Sequence, residues 1–191
     1  MFDWLKSQLI EKEKSEDRVL VEKAKKGDRE VFGQLYLKYL AGIYRYFYFR
    51  TGQNRMQAED MAEQVFFKAW RALPTYQEKG LRFSAWLYRI AHNLLVDSYR
   101  KEKETAKLSE SHSVEDRTLE KIVIEEEHSV LYEAINKLTD DQKQIVLLKF
   151  VEGFDNKEIS EITSKQGDAI RALQHRALEK LREILGKENG I

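Results

Sequence analysis

Two groups of side chains in this 191-residue chain have the chemistry to hold nucleic acid. The first lies in GLRFSAWLYRIAHNLLVDSYRKEK, residues Gly80 to Lys103, where aromatics, Asn and Arg crowd one short stretch in front of a basic run. Single-stranded nucleic acid needs planar surfaces for its bases and cations for its phosphates, and this stretch supplies both. At about 100° per residue, Phe83, Trp86, Leu87, Ile90, Ala91 and Leu94 share one side of a helix. Arg89, His92, Asn93, Val96 and Arg100 share another. The first set reads as packing, with Trp86 either filling the core or also presenting a ring edge to a base. Packing does not explain the second set.

The second group lies in GFDNKEISEITSKQGDAIRALQHRALEKLREIL. A short apolar-periodic segment with Ile159 and Ile162 is followed by a polar break and a longer one with Ala169, Ile170, Leu173, Ala177, Leu178 and Leu181. Arg171, Gln174, His175 and Arg176 stand near the start of the longer segment. That is the pattern of a helix-turn-helix whose second helix enters a major groove. Arg reads guanine edges, Gln reads adenine, and basic side chains neutralise phosphate. A plain helical hairpin with a solvated basic face is the competing reading.

The elements that must carry these groups are helical. The chain has one proline, Pro74, and its glycines fall mostly between apolar-periodic stretches. RVLVEKAKKGDREVFGQLYLKYLAGIYRYFYFRTG reads as two helices, with Gly27 ending the first and Asp28 capping the second. Val31, Leu35, Tyr39 and Ile43, flanked by Phe32 and Tyr36, give the second a buried face. QAEDMAEQVFFKAWRAL follows, with Met61, Val65, Phe66, Ala69, Trp70 and Leu73 on one side, ending at Pro74. The stretch from Phe83 is the next helix, reached through a loop from Thr75 to Arg82.

The net charge of zero is a cancellation between segments. Arg82 to Lys107 carries about +3 and Leu108 to Ala134 about −6. Beyond Lys103, ETAKLSESHSVEDRTLE has few large apolar residues and no periodicity, which is the composition of a linker. A second helical unit begins near Ser129 with Leu131, Ala134, Ile135 and Leu138, and Thr139-Asp140-Asp141-Gln142 predicts an N-cap. The expected fold is therefore all-α: a leader over 1–17, a first helical domain over 18–103, an acidic linker over 104–128, and a second helical domain over 129–187 ending in the helix-turn-helix.

Several function classes fall away. The chain has no cysteine, hence no disulfide, thiolate nucleophile or thiolate ligand. Glu59, Asp60 and Glu63 as a metal site lack a nearby His, and His112 and His128 have no ligand spacing with His92 or His175. With no Gly-rich phosphate loop and no His/carboxylate cluster, the expectation is a non-enzyme without metal or cofactor. No apolar run of eighteen residues occurs, which predicts a cytoplasmic protein without membrane insertion.

The pieces KKGDREVFGQLYLKY, AEDMAEQVFFKAWRAL, FSAWLYRIAHNLLVDSYR, INKLTDDQKQIVLLKFVEGFDNKEISEI and AIRALQHRALEKLRE, in that order, resemble a bacterial RNA polymerase sigma factor. The type is the extracytoplasmic-function group of the sigma-70 family, and the match runs from about Arg18 to Leu185. The resemblance implies a promoter-specificity subunit that binds core RNA polymerase at the clamp of the β′ subunit and at the β flap, reads −10 and −35 promoter DNA and nucleates melting. A stand-alone helix-turn-helix regulator is the alternative, and it explains only the second domain.

By the same resemblance Asp60, Glu63, Gln64 and Phe67 face the clamp, with Glu63 and Gln64 in the reverse of the family's more frequent order. The loop from Tyr76 to Phe83 captures a flipped −10 base, so that Lys79, Arg82, Phe83, Ser84 and Trp86 join Arg89, His92, Asn93 and Arg100 on −10 DNA. Lys165, Gln166, Arg171, Ala172, Gln174, His175 and Arg176 meet the −35 element, with Ala172 and Leu173 where many members are polar or basic. The acidic linker would thread towards the polymerase channels. An anti-sigma factor is an expected partner, and the leader MFDWLKSQLI, with Phe2, Leu5 and Leu9 on one side, is a further possible contact.

Overall fold

The computed structural model describes residues 11, 15–78, 80–105 and 129–188. The leader's apolar side, Lys79 and most of the acidic linker lie outside the described residues. Helix α1 covers 15–24, α2 Arg29–Arg50, α3 Arg55–Ala72 and α4 Phe83–Thr105; α5 Ser129–Asn136, α6 Asp140–Val146, α7 Asn156–Thr163 and α8 Gly167–Glu188 form the second unit. No strand occurs among the described residues.

The helix boundaries follow local chemistry. Gly27 ends α1 at φ +92°, a left-handed conformation that glycine takes without strain, and the Asp28 carboxylate then accepts from the Val31 amide at 3.1 Å. Asn54 caps α3 by accepting from Gln57 N at 3.0 Å. Pro74 sits in the 3-10 turn Leu73–Thr75 that closes α3. Thr139 and Gln142 form the reciprocal capping box of α6. Asp155 and Glu158 make a second box at α7, at bond lengths of 2.8 and 3.0 Å.

In the first unit α2 and α3 pack on each other and α4 lies across both, burying Leu35, Tyr39, Ile43, Met61, Val65, Phe66, Ala69, Phe83, Leu87 and Ala91. Trp70 is half-buried against Phe32, ring centroids 4.8 Å apart. Helix α1 is tied down by the buried Asp17 carboxylate, which accepts from Lys38 Nζ at 2.6 Å and from the Tyr39 hydroxyl.

The end of α2 behaves differently. Tyr44, Tyr46, Phe47, Tyr48 and Phe49 point around the whole helix and all are buried. A helix apolar all round has to be covered all round, and the additional cover comes from the second unit. Phe49 packs on Tyr132 of α5 at 5.0 Å, and Tyr46 accepts a hydrogen bond from the Gln144 amide of α6 at 3.1 Å. Gly42 admits this contact: a Cβ there would stand 2.6 Å from the Tyr88 hydroxyl and 3.0 Å from the Glu152 carboxylate. Helix α4 is consequently buried on a wider arc than one core requires, with Ala85, Tyr88 and Leu95 also covered, and the Tyr88 ring meets Phe154 edge-on at 5.0 Å.

The turn between α7 and α8 holds Ser164 at φ 57°. This places the left-handed residue three positions before Gly167, which instead opens α8. The left-handed conformation costs an ordinary residue about 1–2 kcal/mol, and glycine's extra unfolded-state freedom offsets up to about 1 kcal/mol of any relief. Ser164→Gly is therefore expected to gain up to about 1 kcal/mol and raise the melting temperature by about 2–4 °C. A thermal melt with an unchanged or lower midpoint would show that the serine side chain stabilises the turn.

Candidate nucleic-acid interface

Helix α4 divides the −10 group into an open part and a covered part. Arg89, Asn93 and Arg100 are exposed, the last paired with Asp97 at 3.3 Å. Trp86 is half-buried, packed on Tyr76 at 4.8 Å and Phe83 at 5.4 Å between centroids. Thr75, Tyr76, Leu81, Trp86 and Arg89 line a cavity of about 300 Å³ that Lys157 and Glu161 of α7 close from the other side. Two aromatic rings and two cations around one cavity suit a planar base with an adjacent phosphate.

Arg82, Phe83 and Ser84 are all buried, Arg82 against the second unit and Phe83 among Tyr39, Tyr76 and Trp86 of the first. The Arg82 guanidinium forms a bidentate pair with Glu158 of α7, at 2.8 Å from Nε to Oε1 and 2.7 Å from Nη2 to Oε2. Nη2 also donates to the Gly153 carbonyl at 3.0 Å, and the guanidinium lies 4.5 Å from the Phe154 ring centroid. Both side chains are 5–6% exposed. The Ser84 hydroxyl is buried and makes no hydrogen bond among the described residues. A second pair, Arg45 with Glu152 at 2.7 Å, is less deeply covered.

His92 faces the same contact. Its Nδ1 accepts from the Gln144 amide at 2.7 Å, which fixes the proton on the other nitrogen when the ring is neutral. Burial first, then the positive charges of Arg50 and Lys165, lower its pKa from 6.5 to about 4, and Asp141 opposes them. Arg50 is itself buried and donates to the Asp140 carbonyl.

The −35 group divides less sharply. Gln166, Arg171, Ala172, His175 and Arg176 are exposed over the turn and the first turns of α8. Arg171 pairs with Asp168, His175 lies 3.2 Å from Glu179, and Arg176 Nε donates to the Ala172 carbonyl at 3.3 Å. Lys165 is half-buried and held by Asp141 at 3.0 Å, and the Gln174 amide donates to Asn156 at 3.0 Å. Ile170, Ala177 and Leu181 anchor the opposite face of α8.

On α3, Asp60, Glu63, Gln64 and Phe67 are exposed along one side, opposite the buried Ala58, Met61, Ala62, Val65 and Phe66. Phe67 is 62% exposed, with the Arg71 guanidinium 5.6 Å from its ring centroid. No group of three metal-ligating side chains occurs among the described residues, and no described helix is long and apolar enough to cross a membrane.

Because folding lowers the His92 pKa, the unfolded chain binds more protons between about pH 4 and 6.5, so stability rises with pH through that window and is lost as pH falls towards 4. Thermal melts at neutral pH and near pH 5 should show a larger loss for the wild-type chain than for His92→Gln. Equal losses would place the acid sensitivity elsewhere.

Residues 35–105 match the Sigma-70 region 2 family model and residues 128–181 the Sigma-70, region 4 model. The ECF RNA polymerase sigma factor BldN of Streptomyces coelicolor is 35% identical over 172 residues, covering 87% of this chain and 64% of BldN. SigW of Bacillus subtilis, also an ECF RNA polymerase sigma factor, is 30% identical over 178 residues, covering 86% of this chain and 94% of SigW. The fold is similar to that of the sigma factor RpoE of Bartonella quintana, solved in complex with the anti-sigma factor NepR, with TM-score 0.66 and 23% identity over 81% of this chain and 96% of RpoE. Two helical units, one with a cation-and-aromatic face and one ending in a long helix with exposed cations near its start, thus occur in the order and at the positions of sigma regions 2 and 4: the chain belongs to the extracytoplasmic-function group of the sigma-70 family of RNA polymerase sigma factors.

Proposed function

We propose the following division of labour in a chain that directs promoter-specific initiation by RNA polymerase. The exposed side of α3, with Asp60, Glu63, Gln64 and Phe67, docks on the clamp of the β′ subunit, and the second domain, over 129–187, also meets the β flap. The cavity of Tyr76, Trp86 and Arg89 receives a base of the melted −10 strand. Asn93 hydrogen-bonds that base, while Lys79, Arg82, Ser84, His92 and Arg100 follow the backbone and Phe83 supports the pocket wall. The exposed start of α8 reads the −35 duplex, with Arg171 and Arg176 as the principal contacts and Lys165, Gln166, Ala172, Gln174 and His175 beside them.

The observation that carries this reading is the pairing of two unlike surfaces in one chain. One has rings and cations around a base-sized cavity, suited to a single strand. The other is an exposed basic helix start, suited to a major groove. A stand-alone duplex-binding regulator would have no use for the first. The protein works in the cytoplasm and without catalysis; base capture and polymerase contacts drive melting. RpoE's complex with NepR supports an anti-sigma protein as a partner of this chain also.

Transcription by core polymerase plus the purified protein on a promoter library is expected to start at defined sites sharing two spaced elements; failure to bind core or to select starts would refute the reading. Asn93→Ala should slow promoter opening about tenfold, the effect of one lost base contact of about 1.4 kcal/mol, while leaving core binding unchanged. Arg171→Ala should relax selection at one −35 position by about 1–3 kcal/mol. A uniform loss over all templates would make Arg171 a phosphate contact.

A further inference from the structure

The division of labour proposed above gives helix α1 no task, yet a buried carboxylate of that helix is joined to the base-sized cavity through a line of aromatic rings. The Asp17 side chain is 2% exposed, and its two oxygens take different partners. Oδ1 accepts from Lys38 Nζ at 2.6 Å, and Oδ2 accepts from the Tyr39 hydroxyl. The Tyr39 ring stands 6.0 Å from the Phe83 ring between centroids, and Phe83 lies 5.6 Å from Tyr76 and 5.4 Å from Trp86. Tyr76 and Trp86 are the rings that line the cavity. We propose that Asp17 is a positioning residue for −10 base capture: through the Tyr39 hydroxyl it sets the ring that backs Phe83, and Phe83 sets the two rings that meet the base. This inference rests on the proposed −10 surface.

Other contacts bring α1 to the same loop. Arg18 and Val21 share a small cleft with Tyr76, Leu81 and Phe83, and Arg18 Nε lies 3.5 Å from the Glu78 carboxylate. That pair is largely exposed, so it adds little stability and serves to mark how near α1 comes to the loop. The charge of Asp17 is felt at Tyr76 itself. Burial first, then the negative charges of Glu78 and Asp17, push the Tyr76 hydroxyl pKa up to about 12, with Arg89 opposing them. Between the 3-10 turn Leu73–Thr75 and the left-handed turn at Gly80, φ +74°, the loop has no helix of its own to fix Tyr76. Its ring therefore takes its place from Phe83 and Trp86, 4.8 Å away in the second case.

An anchor for α1 alone would not need this geometry. Val21 and Ala24 already bury the apolar side of the helix, and the Lys38 ammonium alone would neutralise the carboxylate. The second oxygen is directed instead at a hydroxyl whose ring is the next link to Phe83. A hydroxyl on an ionised carboxylate makes the stronger kind of hydrogen bond, and it holds the ring at its polar end while packing holds its body.

The test separates positioning from plain stability. The chain has three tryptophans, Trp4, Trp70 and Trp86, so full-length protein labelled with 5-fluorotryptophan gives three fluorine resonances, assigned by Trp70→Phe and Trp86→Phe. Asp17→Ala should shift the Trp86 resonance and leave that of Trp70 in place. Asp17→Asn, which keeps an acceptor for the Tyr39 hydroxyl, should return the Trp86 resonance towards its wild-type position. Ala24→Gly weakens α1 at a buried position away from Tyr39, and it should lower the melting temperature without moving Trp86. Tyr39→Phe keeps the ring and removes its tie to Asp17, so it should shift Trp86 in the same direction as Asp17→Ala, and it decides the matter if Asp17→Ala does not fold. A Trp86 resonance unmoved in the variants that circular dichroism shows folded, or moved equally by Ala24→Gly, would overturn the proposal. With core polymerase, Asp17→Ala should slow promoter opening about 5-fold, less than the tenfold expected of the base contact itself, and Asp17→Asn should restore most of the rate. Asn93→Ala run alongside keeps two failures apart. If it slows opening and Asp17→Ala does not, the positioning role alone is refuted; if neither slows opening, the −10 reading fails and the positioning role with it.

Discussion

A buried guanidinium shared between two domains sets the arrangement of the molecule. Arg82 comes at the end of the loop that precedes α4, and Glu158 sits in the first turn of α7, more than seventy residues later. Removing two charges from water costs several kcal/mol per ion, so the pair persists only because its geometry is bidentate and its remaining donor and face are satisfied. The Gly153 carbonyl takes one hydrogen bond and the Phe154 ring lies against the guanidinium. Glu158 also receives the Asp155 amide, so one carboxylate both starts α7 and joins the domains. Loss of either partner would leave an unpaired charge in a closed site, which is the costly case.

Much of the fold follows directly from the sequence. Gly27 and Asp28, Thr139 and Gln142, and Pro74 mark helix ends through backbone chemistry that acts within a few residues, and the structure has them in those roles. Leu35, Tyr39 and Ile43, or Ile159, Ile162 and Ile170, repeat at the helical period because one face of each helix meets a core. The exposed stripe of Arg89, Asn93 and Arg100 is visible by the same rule. What periodicity does not give is the partner of a second buried face. Tyr88 and Leu95 read as the far side of α4, and only the arrival of α7 and the Gly153–Phe154 corner buries Tyr88. Two signals pointed to that contact. The run Tyr44 to Phe49 is too aromatic on all sides for a helix with one covered face, and Asp155-Asn-Lys-Glu158 has the spacing of a capping box. Neither names the domain that would cover the other, because Arg82 and Glu158 look like ordinary surface charges until folding brings them together.

The same arrangement relates structure to function. A sigma factor has to hold single-stranded promoter DNA in one place and duplex in another, and the two surfaces proposed for those tasks lie on different domains. The cavity proposed for the single strand is bordered by both, since Tyr76, Trp86 and Arg89 line it from the first domain and Lys157 and Glu161 from the second.

The account's central claim is that the Arg82–Glu158 pair holds the two domains together. Because the chain contains no cysteine, Lys68→Cys on α3 and Arg182→Cys on α8 can carry a pair of spin labels at exposed positions. Pulsed electron-spin distance measurement should give one narrow distribution that broadens in Arg82→Ala. A broad distribution in the wild-type protein, or one unchanged by Arg82→Ala, would contradict it.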